Sequence, residues 1–145
     1  MWKGKEIMNK RKKNDFAAGD FRELAVAAAA GAGRYLKGNL YRRHQLRFKG
    51  EIDIVTEADQ HAEEMIISTI NARYPEHDIL AEESPAHQTG SPYRWIIDPL
   101  DGTTNYAHGY PVFCVSIALA RGEECILGVV YNPMLEEMFI AEKGQ

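Results

Sequence analysis

The last third of the chain leaves its backbone little choice of topology. Three apolar runs, 112–120, 125–131 and 138–141, are separated only by short polar turns at Arg121-Gly122 and Asn132-Pro133. Connections that short cannot carry the chain over a sheet to a parallel position, which takes a dozen or more residues. The runs are therefore expected as consecutive strands of an antiparallel meander. Upstream the period changes. Phe21, Leu24, Ala25, Ala28, Ala32, Tyr35 and Leu36 recur at helical spacing up to a stop at Gly38-Asn39. Ala58, Ala62, Met65, Ile66, Thr69 and Ile70 make a second helical face that Pro75 ends. Thr56-Glu57-Ala58-Asp59 at its start has the form of a capping box. Short strands are expected around 52–55 and at Ile79-Leu80, and residues 84–92 as a mobile polar loop. The fold class expected is α+β, a helix pair packed on an antiparallel sheet.

Composition sets limits on function. The chain has 145 residues, 45% apolar and 26% charged, enough for one domain with a sizeable core. A net charge of -4 argues against a nucleic-acid binder. The alanine-rich run 25–32 is short and flanked by charges, so neither a membrane span nor a signal segment is expected. Residues 1–15 hold Lys3, Lys5, Lys10, Arg11, Lys12 and Lys13 and read as a disordered basic extension, the alternative being an arm for an acidic surface. Residues 16–145 form the folded part. The two cysteines, Cys114 and Cys125, are too few for a disulfide framework and are expected as buried thiols of a cytoplasmic protein.

The chemistry concentrates between Trp95 and Asn105, where the apolar run Trp95-Ile96-Ile97 enters Asp98-Pro99-Leu100-Asp101-Gly102-Thr103-Thr104-Asn105. Hard divalent cations take oxygen ligands, and Mg2+ prefers one or two carboxylates together with waters and substrate phosphate oxygens. Asp98 and Asp101 supply carboxylates, while Gly102 lets the backbone approach a ligand closely. If Thr103 and Thr104 open a helix, the free amides in front of it favour an anion. The bland alternative is a strand, an Asp-Gly turn and a capped helix. Asp59 likewise reads as a helix cap, a role compatible with a further one in a site. Trp95 and Tyr110 are expected in the core, Asn105 as a brace for the turn, and His108 as shaping the following loop.

Asp98–Asn105, followed by His108-Gly109-Tyr110-Pro111, resembles the central motif of the inositol monophosphatase family of Mg2+-dependent, lithium-sensitive sugar phosphatases. Asp53-Ile54-Val55-Thr56-Glu57-Ala58-Asp59 is similar to its Asp-x-Val-Thr-x-x-Asp element, and Ala81-Glu82-Glu83-Ser84 to its Gly-Glu-Glu-Ser. Ala81 stands where glycine is usual, and 49–52 departs from the usual linker around Lys49. The resemblance implies half of an αβαβα sandwich, with a C-terminal half, bearing a Trp-Asp-x-Ala-type motif, absent beyond Gln145.

It also implies a set of roles. Glu82, Asp98 and the Leu100 carbonyl would hold one Mg2+. Asp98 and Asp101 would hold a second, completed from the missing half. Thr103, oriented by Asp59, would position the attacking water together with Glu82. Asp101, Gly102 and Thr103 would bind phosphate, and Glu83 would stand behind the ligands. The implied substrate is a small phosphorylated polyol or sugar, inositol monophosphate first, with histidinol phosphate, fructose bisphosphate and phosphoadenosine nucleotides as relatives. The alternative is a non-catalytic half that binds Mg2+, phosphate or a protein partner. A homodimer or a complementing C-terminal half would cover its exposed apolar sheet.

Overall fold

The structure, a computed structural model, describes residues 18–43, 46–49 and 54–145. The basic extension, the 50–52 linker and Asp53 lie outside the described residues. In chain order the elements are α1 (Ala18–Asn39), β1 (Leu46–Phe48), β2 (Ile54–Thr56), α2 (Glu57–Arg73), β3 (Asp78–Ala81), β4 (Tyr93–Asp101), α3 (Thr103–Ala107), β5 (Cys114–Arg121), β6 (Glu124–Asn132) and β7 (Glu137–Glu142). β1 and β2 form an antiparallel ribbon, and the main sheet has the order β3-β4-β5-β6-β7.

The expected meander is present, since β4 through β7 pair antiparallel in sequence order. The sheet is nonetheless mixed, because β3 lies parallel to β4, with Ile79 opposite Trp95. The chain between them is the polar loop 82–92, which is pinned rather than trailing. Ile79 and His87 exchange backbone hydrogen bonds of 2.9 Å each. The Thr89 amide donates to the Asp78 carboxylate at 2.7 Å.

Both long helices cover one face of the sheet. Ala25, Ala28, Ala29, Ala32 and Leu36 of α1 meet Ala58, Ala62, Ile66 and Ile70 of α2 over Trp95, Ile97, Ile117, Leu119, Leu127 and Val129. Small side chains on α1 permit close approach to β6: a Cβ at Gly33 would lie 2.5 Å from the Tyr131 ring. Thr56 and Asp59 form the anticipated capping box of α2. Such a cap contributes about 1 kcal/mol, whereas fully burying a side chain like Ile66 contributes about 1.5–3 kcal/mol. The apolar face therefore places the helix and the cap only fixes where it starts. Among the described residues, no helix is long and apolar enough to cross a membrane.

Two expectations about burial fail. Tyr110 is 59% exposed, because the turn that bonds its amide to the Asn105 carbonyl (2.8 Å) and its carbonyl to the Val112 amide (2.8 Å) faces outward. Cys125 is exposed beside the β5–β6 turn and Cys114 only half-buried, so neither is a core thiol. The outer face of the sheet carries exposed Leu80, Ile96, Val130 and Phe139.

Candidate active site at the end of the central strands

The site begins with an irregularity in β4. Asp98 pairs with Ser116 and Asp101 with Cys114, so three steps along β4 match two along β5. One extra residue is accommodated there as a bulge, at Pro99-Leu100, where proline has no amide to give the ladder. In a regular strand, residues three apart face opposite ways. The bulge puts Asp98 and Asp101 on the same side, and the Leu100 amide donates to Asp98 Oδ1 at 3.2 Å.

Gly102 then turns the chain into α3 at φ +101°. A Cβ there would meet the Val112 carbonyl at 2.9 Å, so both the dihedral and the crowding demand glycine. α3 is only five residues long. It is anchored by the buried Tyr106 hydroxyl, which donates to the Leu36 carbonyl in the last turn of α1 at 2.8 Å. Asn105 braces the turn as expected, donating to the Val112 carbonyl at 2.9 Å. His108 stays local, its Nδ1 2.7 Å from the Thr104 carbonyl.

α2 supplies the opposite wall. Asp59 is buried; its Oδ2 accepts from the Thr56 amide at 2.9 Å and its Oδ1 from the Thr103 hydroxyl at 2.8 Å. It thus caps α2 and also holds Thr103. The Thr103 hydroxyl also lies 3.0 Å from the Leu100 carbonyl.

Glu82 follows β3 and brings its carboxylate up to that of Asp98. Partial burial first, then the Asp98 carboxylate beside it, push the Glu82 carboxyl up to about 7 from an ordinary 4.5. Burial foremost also raises the Asp98 carboxyl, with the charge of Asp101 adding to the effect and the bond from Glu82 opposing it. Beside Asp101, the Cys114 thiol, 3.8 Å from Asp101 Oδ2, is pushed up to about 11 by burial and the neighbouring carboxylates.

Sequence reasoning left two neighbours without a role in the site. Lys49, beside the departing linker, bonds the Glu83 carboxylate and stands 3.8 Å from Glu82. Glu63, a charged residue on the buried face of α2, accepts from the Glu83 amide at 2.7 Å and from the Ser84 hydroxyl. The signal for Glu63 was present as a carboxylate one helical turn after Asp59, between the apolar positions Ala62 and Ile66. Glu83 itself is held from both ends, its side chain 6% exposed. Among the described residues, no three acidic, histidine or cysteine side chains are already gathered as ligands around one point.

The family profile described as "Inositol monophosphatase family" matches residues 14–145. An inositol monophosphatase of Mesembryanthemum crystallinum is 41% identical over 131 residues, 87% of this chain and 48% of that protein. An inositol-1-monophosphatase of Synechocystis is 48% identical over 121 residues, 82% of this chain and 42% of that protein. Among solved structures, the extragenic suppressor protein suhB of Bartonella henselae superposes with a TM-score of 0.85 at 40% identity, covering 87% of this chain and 50% of that one. The chain spans about half the length of the curated relatives it matches.

Proposed function

The chain belongs to the inositol monophosphatase family, and on that premise we propose that it carries the carboxylate half of a site hydrolysing a small polyol or sugar phosphate monoester, inositol monophosphate first. The observation that carries this reading is the β4 bulge, which brings Asp101 to the side of Asp98, with the Glu82 carboxylate facing that of Asp98. The donor set suits a hard cation. All the candidate ligand atoms are oxygen, and the raised Glu82 and Asp98 carboxyls mark a place short of positive charge. Glu82, Asp98, Asp101 and the Leu100 carbonyl would hold Mg2+. When bound, the ion neutralises charge on the phosphoryl oxygens and lowers the pKa of water.

The chain's own groups do the rest. The Thr103 hydroxyl donates to Asp59, which leaves its lone pairs to accept from the attacking water. Glu82, beside Asp98 at the end of β3, would take that water's proton. Gly102, at φ +101°, makes the turn that sets Thr103 next to Asp101, where the phosphate of the substrate would approach.

The test is phosphate release from inositol 1-phosphate by this 145-residue chain, titrated with Mg2+ and challenged with Li+. Mg2+-dependent turnover suppressed by Li+ and lost in Asp98→Asn supports the proposal. Turnover that ignores Mg2+, or survives Asp98→Asn, overturns it.

A second reading is favoured by the exposed Leu80, Ile96, Val130 and Phe139 on the outer face of the sheet. Here the chain is non-catalytic alone and contributes its carboxylates to a site completed by a complementing half, or by another copy, seated on the exposed outer sheet face. Turnover would then require the added partner.

A further inference from the structure

On the phosphatase reading above, we infer that Glu63 is a positioning residue that sets the distance between the Glu82 carboxylate and the Thr103 hydroxyl, with α2 as the ruler. Glu63 is 1% exposed and lies one helical turn beyond Asp59 on the same face. Each carboxylate grips a different part of the site. Asp59 holds Thr103. Glu63 spends one oxygen on the Glu83 amide at 2.7 Å and the other on the Ser84 hydroxyl.

The loop needs such a hold. Glu82 leaves the last residue of β3 with no strand to continue it, and its side chain is 47% exposed. Lys49 ties Glu83 only through a long, flexible side chain on the far side. A buried carboxylate taking two bonds from a loop, one of them from its backbone, holds the loop more closely than a single pair with a flexible lysine, so Glu63 rather than Lys49 decides where the Glu82 backbone sits. Glu63 touches neither substrate nor the reacting atoms; it acts through Glu82. Residues behind metal ligands change affinity by about 10–100-fold when removed.

Calorimetric titration of Mg2+ into the 145-residue chain, paired with amide hydrogen exchange, tests the role without relying on turnover. Glu63→Ala is expected to release the protected Glu83 amide and weaken Mg2+ binding by about tenfold, with exchange around Thr103 unchanged. Glu63→Gln keeps an acceptor for the Glu83 amide and an amide for the Ser84 hydroxyl, and is expected within about threefold of the parent. If Glu63→Ala does not fold, Ser84→Ala removes one of the two bonds from the loop side and is expected to weaken Mg2+ by about threefold. Mg2+ affinity unchanged in the folded variant overturns the role of Glu63 alone. No Mg2+ binding by the parent chain overturns the reading of the site and the role together.

Discussion

The two ends of β3 carry carboxylates in opposite circumstances. At its start, Asp78 accepts from the Thr89 amide at 2.7 Å, the Thr89 hydroxyl at 2.8 Å and the Ser91 amide at 3.4 Å. These bonds, the Thr89 amide foremost, hold its carboxyl below the ordinary 3.8. Next to it the buried His77 is stacked between Tyr74 and Tyr93 at centroid distances of 4.7 and 4.9 Å. The Trp95 indole donates to His77 Nδ1 at 3.1 Å. That end is satisfied within the chain. Past the other end of β3, burial and the neighbouring carboxylate of Asp98 raise Glu82 to about 7. One strand thus joins a region whose polar groups are closed on themselves to one whose carboxylates face each other, and on the proposed function the contrast separates what serves stability from what serves chemistry.

The widest separation is expected from Trp95→Ala. Removing this fully buried ring and its bond to His77 should cost about 3–5 kcal/mol in urea unfolding, while Mg2+ affinity of the molecules that remain folded stays within about twofold. A loss of Mg2+ affinity matching the loss of stability would erase the distinction between the ends. Asp98→Asn should do the reverse. Phosphate release at saturating Mg2+ falls by about 100-fold, or about 2.7 kcal/mol. The urea midpoint without metal holds or rises, because a like charge beside Asp101 is gone. A lower midpoint would mean that Asp98 belongs to the stabilising machinery after all.

The smallest effect expected is on pH. Without metal, between 4.5 and about 7, folded Glu82 holds a proton that the unfolded chain has released. Stability therefore falls as pH rises through that window, while Mg2+ affinity climbs through it. Half of the side chain reaches solvent, which screens the stability effect to below about 1 kcal/mol. Urea midpoints measured in chelator from pH 4.5 to 7 should show that downward slope, and Glu82→Gln should flatten it. The His77 end runs the other way. Burial lowers its pKa from 6.5, so its contribution to stability is lost as pH falls below that value, and a slope left intact in Glu82→Gln would have to come from another group.

What the sequence made legible is what local periodicity and local hydrogen bonding decide. α1, α2, the Thr56–Asp59 box and the meander all follow from residues within a few positions of one another. The parallel seat of β3 was not legible, since it depends on a pinned loop whose ties, Thr89 to Asp78 and His87 to Ile79, join residues with no periodic signature. The motifs singled out Glu82, Asp98, Asp101, Thr103 and Asp59, but the approach of Glu82 to Asp98 was not legible, because it arises only when β3 and β4 lie side by side. Tyr110 misled because an aromatic among apolar neighbours looks like core, and only the outward turn after α3 exposes it.

The bulge in β4 makes the site a matter of parity. Asp98 and Asp101 share a side only because the count between their partners on β5 is even while their own is odd. Substitution at Pro99 or Leu100 can leave that arithmetic intact, but deletion or insertion of a single residue cannot, since it would swing Asp101 to the helix-covered side of the sheet. The tolerance of this segment is therefore set less by what each residue is than by how many there are, and a variant library that admits gaps should find this stretch closed to single-residue changes of length even where it is open to changes of identity.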